Sequence, residues 1–243
     1  MQVIAVSIQR GGTAKTTTAA ALAQAAAYRG KTVLAIDLDP QGNLSLTLGA
    51  DATQPGSYEL LTGSAAAYDL VQHCNGIDVI PASWNLATLR SESGSARRLQ
   101  KAISAIRYEY DLTIIDTPPT AGELQYNALQ AATGIIIPLQ ADIFGLQGLY
   151  QIADTAAQIQ KTNKQLSIKG IIFTRHNPRT TITQQMQEAT TKQAQSMNIP
   201  VLGAIREAVA VREAQTLQRS LYEYAPKCKP AQDYLEIFDK LGV

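Results

Sequence analysis

The chain has 243 residues, 45% of them hydrophobic, with 21 Lys+Arg against 20 Asp+Glu and a net charge of +1. That length carries one full core near the upper limit of a single domain, so residues 1–243 are expected to form one domain. The near-neutral balance excludes a bulk polycation. No apolar run approaches the roughly 18 residues of a membrane span, and two distant cysteines, Cys74 and Cys228, exclude a disulfide framework or a cysteine metal cage; the expectation is a cytoplasmic protein.

The first apolar run, Val3-Ile4-Ala5-Val6-Ser7-Ile8, predicts a strand, and the alanine-rich segment from Thr18 to Tyr28 predicts a helix. Between them stands Arg10-Gly11-Gly12-Thr13-Ala14-Lys15-Thr16-Thr17. A strand that delivers the chain to a glycine turn at a helix N-terminus lets backbone N–H groups converge where the helix dipole is positive. Lys15 adds a full charge, and the Thr16 hydroxyl is placed to ligate magnesium. The pattern therefore predicts a phosphate cradle in which Gly11, Gly12, Thr13, Ala14, Lys15, Thr16 and Thr17 bind nucleotide.

Residues 33–37 come next, an apolar run ending in Asp37, and then a loop through Asp39, broken by Pro40 and Gly42. Further strands are predicted at 77–81, 112–116, 134–139, 168–173 and 201–205. Helical periodicity links Leu99, Ile103 and Ile106, then Leu146, Leu149, Ile152, Ala153, Ala156 and Ile159, and finally Tyr234, Phe238 and Leu241. Continuous apolar strands alternating with amphipathic helices imply an α/β fold, a mostly parallel twisted sheet with helices on both faces. Ligands of such sheets sit beyond the carboxyl ends of the strands. The cradle, Asp37/Asp39 and Asp116 all follow strand ends, so three separate features converge on one rim.

That rim suits phosphoryl transfer. Asp116, followed by Thr117-Pro118-Pro119, is expected to hold magnesium through water; Asp39 is expected to orient or deprotonate the attacking water and to reach the metal through water. Asp37 either braces the turn or supports the site from behind. Thr174 to Asn177, ending a strand on the same rim, is a candidate contact for the base.

Taken together, the chain resembles the ParA/MinD family of deviant Walker-A ATPases, closer to the short ParA partition ATPases than to the MinD branch, over nearly its whole length. The family's Lys-Gly-Gly-x-x-Lys-Thr-Thr is matched at 10–17, its Asp-x-Asp-Pro-Gln-Gly-Asn at 37–43 and its Asp-Thr-Pro-Pro at 116–119. Segments Ile80-Pro81-Ala82-Ser83 with Leu86-Ala87, Tyr126-Asn127-Ala128-Leu129 and Ile136-Ile137-Pro138-Leu139-Gln140-Ala141 are also similar. The resemblance implies a P-loop NTPase fold, ATP and Mg2+ as ligands, and a homodimer formed on ATP binding. It implies that this dimer coats DNA non-specifically on the nucleoid and that a ParB-like centromere-binding protein stimulates slow hydrolysis. Lys15 and Arg10 join Asp39 as the catalytic residues it implies, with Thr16 and Asp116 at the metal.

Two residues depart from the pattern. Arg10 stands where the family has a lysine that reaches across the dimer, and Ala14 replaces a glycine. Arginine keeps the charge and adds a planar fork, whereas Ala14 is the milder change provided its backbone does not need positive φ.

For DNA, residues 161–243 carry 12 Lys/Arg against 7 Asp/Glu, while 1–160 carry 9 against 13. Arg179, Arg206, Arg212, Arg219, Lys227 and Lys229 are the candidate phosphate contacts. Two rival readings follow. One is a nucleotide-gated dimerisation module with little hydrolysis, suggested by Arg10. The other is a MinD-like membrane-cycling ATPase, disfavoured because residues 230–243 carry Asp233, Glu236 and Asp239 against Lys240 alone. No membrane partner is expected.

Overall fold

The computed structural model describes residues 2–89, 95–106, 108–176 and 181–243. Its strands are β1 (Gln2–Val6), β2 (Val33–Asp37), β3 (Gln72–Cys74), β4 (Ile77–Ile80), β5 (Leu112–Asp116), β6 (Gly134–Leu139), β7 (Ser167–His176) and β8 (Val201–Arg206). They form one sheet in the order β3-β4-β2-β5-β1-β6-β7-β8. Only β3 runs antiparallel to its neighbour; the rest pair in parallel. The helices are α1 (Lys15–Tyr28), α2 (Asn43–Leu48), α3 (Ser57–Thr62), α4 (Arg98–Ile103), α5 (Glu123–Ala131), α6 (Ile143–Gln160), α7 (Thr181–Ser196), α8 (Val209–Thr216), α9 (Leu221–Tyr224) and α10 (Lys229–Leu241).

The predicted strands all form, because each is built around an apolar run, and β2, β5 and β6 are buried at every position. Successive residues face opposite layers. Val3, Ala5 and Ile115 pack with Leu129, Leu149 and Ile152 on one side, while Ile4, Val6 and Ile114 pack with Leu22, Tyr234 and Phe238 on the other. Helix α1 is buried through Ala19–Ala26. Its short side chains let it lie close to both the sheet and α10, and each fully buried Ile or Leu around it contributes about 1.5–3 kcal/mol relative to exposure.

Two elements carry no apolar signature and were not expected. Strand β3 is a three-residue polar edge closing the sheet through the turn at Asn75-Gly76. Helix α7 is rich in Gln and Thr and buries only Thr190 and Ala194 among its side chains. Strand β1 also stops at Val6, two residues short of the apolar run. Ser7 stays bonded through its N–H to the Ile136 carbonyl as the chain turns into the glycine loop.

Register brings the acidic strand ends together. Asp37 sits beside Asp116, and Asp116 beside Val6, the residue from which the glycine loop departs. The expected rim is therefore real and is made by three adjacent central strands.

Candidate phosphate-binding site

The loop between β1 and α1 turns through two left-handed residues, Gly12 at φ 73° and Ala14 at φ 63°. The tolerance expected of Ala14 is thereby corrected: this position does take positive φ, which disfavours any side chain by about 1–2 kcal/mol relative to glycine. Replacing Ala14 by glycine should raise Tm by about 1–3 °C, since the relieved strain exceeds the added unfolded-state entropy. Thermal denaturation checks this, and a fall of several degrees would contradict it.

Lys15 begins α1 and is almost fully buried. Its ammonium donates to the Arg10 carbonyl at 2.6 Å, drawing the loop into a ring around the space a phosphate would fill. Burial pulls its pKa down, opposed by the charges of Asp116 and then Asp39. The next residue, Thr16, donates its hydroxyl to Asp116 Oδ2 at 2.6 Å. Burial first, and the Asp37 charge second, hold Asp116 well above the usual carboxylate range. Its other oxygen, Oδ1, is buried with no hydrogen-bond partner among the described residues.

A buried, unpartnered carboxylate oxygen beside a threonine hydroxyl and a lysine is an incomplete set of hard oxygen donors. Among the described residues no group of three or more His, Cys, Asp or Glu forms a cage that could hold a metal alone. Thr16 and Asp116 therefore fit magnesium in its usual protein setting, where water and substrate phosphates complete the shell.

The two roles left open for Asp37 are now distinguishable. Its Oδ1 accepts the Asp39 N–H at 3.0 Å, and Oδ2 accepts both the N–H and the hydroxyl of Ser45 at 2.8 Å. Asp37 is thus a brace that ties the turn to α2. Burial raises its pKa to about 6 despite these bonds. Asp39 is positioned through that brace and through Oδ1, which accepts the Gln41 N–H at 3.1 Å. It borders a cavity of about 370 Å³ with Trp84, Pro118, Pro119 and Gln125.

A second cavity, about 270 Å³, opens beside the loop between Ala14, Thr17, Thr174 and Arg175 on one side and Val211, Arg212 and Gln215 on the other. Two of the expected base-contact residues, Thr174 and Arg175, line it; Asn177 lies outside the described residues. Thr174 is itself nearly enclosed and its hydroxyl donates to the Thr13 carbonyl at 3.1 Å.

Arg10 points away from the cradle. Its guanidinium is held by both oxygens of Asp142, at 2.6 and 2.9 Å, and lies 5.3 Å from the centre of the Phe144 ring. Asp142 and Gln215 form part of this rim yet escaped the sequence reading, and Gln140 entered it only within a family-similar segment, with no role given. Gln140 Nε2 donates to the Gly12 carbonyl and Gln215 Nε2 to the Thr17 hydroxyl. No spacing or glycine pattern marks them; only Asp142, a carboxylate just after an apolar strand and before a helical stretch, carried a readable sign as an N-cap.

The basic candidates separate. Arg206 is removed from the free cations, because its guanidinium and backbone N–H are both bound to Asp233. Arg212 is exposed on α8 at the mouth of the smaller cavity. Arg219 stacks 6.0 Å from the Tyr224 ring centre, and Lys227, in the turn before α10, and Lys229, its first residue, are exposed. Arg179 lies outside the described residues.

Known proteins share this framework. A family described as an AAA domain matches residues 1–168. The sporulation initiation inhibitor protein Soj of Bacillus subtilis is 34% identical over 245 residues, covering 97% of this chain and 96% of its own length. The chromosome partitioning protein ParA of Caulobacter vibrioides is 36% identical over 248 residues, covering 98% and 92%. Among solved structures, cobyrinic acid a,c-diamide synthase from Mycobacterium smegmatis with bound ATP analogue and magnesium is similar at TM-score 0.84 and 31% identity, covering 98% and 93%.

Proposed function

Because this chain belongs to the ParA/MinD family of P-loop ATPases, as a ParA-like partition ATPase that uses ATP and Mg2+, we propose the following cycle. The chain acts as one ATPase domain that closes as a homodimer on ATP. The dimer coats nucleoid DNA without reading sequence, and slow hydrolysis, stimulated by a ParB-like centromere-binding protein, releases it. The single observation that carries the nucleotide step is the Thr16–Asp116 pair with its unpartnered carboxylate oxygen beside Lys15.

In this reading Lys15 exchanges the Arg10 carbonyl for phosphate oxygens, while the N–H groups of 11–17 at the α1 N-terminus receive the remaining charge. Thr16, with Asp116 acting through water, would hold magnesium, which would supply charge neutralisation for the phosphates. Asp39 holds the attacking water in line and takes its proton. The cavity between Thr174 and α8 receives the base, so Gln215 and Arg212 place α8 in contact with nucleotide on one side and with solvent on the other. That contact gives nucleotide a physical route to the exposed cations Arg212, Arg219, Lys227 and Lys229.

An ATP-dependent mobility shift on random-sequence duplex, steeply weakened by salt, is the expected result. Arg219→Ala with Lys229→Ala, both outside the base cavity, should weaken the shift while calorimetric ATP binding persists. A shift indifferent to nucleotide would overturn the cycle. The membrane reading gains nothing from the structure: Tyr234, Ile237 and Phe238 of α10 are buried in the core, and no described helix is long and apolar enough to cross a membrane. The engagement of Arg10 by Asp142 does favour the second reading, a nucleotide-gated dimer with little turnover. Phosphate release with and without DNA separates the two, because absent release with intact ATP-driven dimerisation selects the gated module.

A further inference from the structure

The turn joining β6 to α6 grips the phosphate loop from outside the cradle at two points, Gln140 on the Gly12 carbonyl at 3.1 Å and Asp142 on the Arg10 guanidinium. Asp142 is held rigidly for this task. Its Oδ1 also accepts the Gly145 N–H at 2.6 Å, capping α6, and Gly145 lies so close to the turn that a Cβ there would stand 2.1 Å from the Gln140 carbonyl oxygen. The Phe144 ring shields a further side of the guanidinium. With Arg10 24% and Asp142 36% exposed, water competes for the pair only in part. Arg175 and Glu207 share a cavity of about 380 Å³ with Asp142 and are the other charged groups facing it among the described residues.

A guanidinium fork fits two oxygens of a carboxylate and two oxygens of a phosphate with the same geometry, which an ammonium group does not. Arginine at position 10 therefore has two mutually exclusive partners of matching shape: Asp142, which holds it in the isolated chain, and the phosphate oxygens of nucleotide at this rim. We infer that Asp142 is a positioning residue that withholds the Arg10 guanidinium from the phosphate of bound nucleotide until charge shifts on its oxygens in the transition state, where the guanidinium exchanges one two-point partner for the other. This inference rests on the reading of the rim as a Mg·ATP site. Its consequence is a built-in restraint on turnover that depends on arginine at position 10.

The test is a double-mutant cycle with Asp142→Asn and Arg10→Ala, measured as steady-state phosphate release. Asparagine keeps a good helix cap while removing the charge. Asp142→Asn is expected to raise kcat by about three- to ten-fold, the scale of a half-exposed charge-assisted pair, with KM changed by less than about two-fold. The same change in the Arg10→Ala background should do nothing, a non-additivity that a purely structural cap would not produce. Asp142→Ser, also a good cap, repeats the test should the asparagine variant fold poorly. An unchanged or lowered kcat, or an equal rise without Arg10, would overturn the inference. Calorimetry of the wild-type chain with Mg·ATP separates the two failures: no binding removes the site reading and this inference with it, whereas binding with an unresponsive Asp142→Asn removes the inference alone.

Discussion

Asp39→Ala is expected to bind Mg·ATP within a few-fold of the wild-type affinity and to lose hydrolysis by about 10²–10⁴-fold, the contribution of a positioned general base. Asp39 is 8% exposed and stands on a turn held mainly by Asp37, which accepts the Asp39 N–H and both donors of Ser45, with the Asp39 carboxylate adding one bond from the Gln41 N–H. Removing the side chain is therefore expected to leave the cradle largely intact and to take away the group proposed to orient water. Calorimetry and phosphate release on the same preparation check the split. The single tryptophan, Trp84, borders the same cavity as Asp39, so its fluorescence reports whether nucleotide still rearranges that region in the variant. Residual hydrolysis above about a tenth of wild type would show that another group positions the water.

Lys15→Ala is expected to weaken Mg·ATP binding by at least about 100-fold, near 3 kcal/mol, because a buried cation aimed at phosphate makes strong charge-assisted bonds. The fold should survive, with Tm changed by only a few degrees. The ammonium is itself desolvated by burial, and its loss removes that penalty as well as its attraction to Asp116 and Asp39. Binding retained within about ten-fold of wild type would mean that the backbone amides dominate phosphate recognition and that the lysine is secondary.

The two outcomes differ in a way that follows from position. In the proposed cycle Lys15 acts on charge already present in the bound triphosphate, so its loss is expected in affinity. Asp39 in the same proposal acts on a proton that moves only as the reaction proceeds, so its loss is expected in rate.

How the site was legible follows from the range of its interactions. The cradle is local: strand, glycine turn and helix start all lie within residues 2–28, and each carries its own signature in residue type. Asp37 and Asp116 were legible because a carboxylate ending an apolar run in a parallel sheet falls on one rim whatever the strand order. The helical stripes at Leu146–Ile159 and Tyr234–Leu241 were legible for the same local reason, since periodicity reports which face is buried. Helix α7 was not, because a helix that buries little shows little apolar period.

The amino-acid order by itself determined the α/β class, the phosphate loop, the acidic strand ends and the family, since these rest on contiguous segments whose chemistry does not depend on distant neighbours. Tertiary structure alone decided which partner each polar group takes. Placing β1 between β5 and β6 sets Arg10 against Asp142 across 132 residues, gives Arg206 to Asp233 rather than to solvent, and turns Ala14 to positive φ. Hydrogen-bond and ion-pair choice is fixed by proximity in space, and proximity in space is settled only when the sheet order is complete.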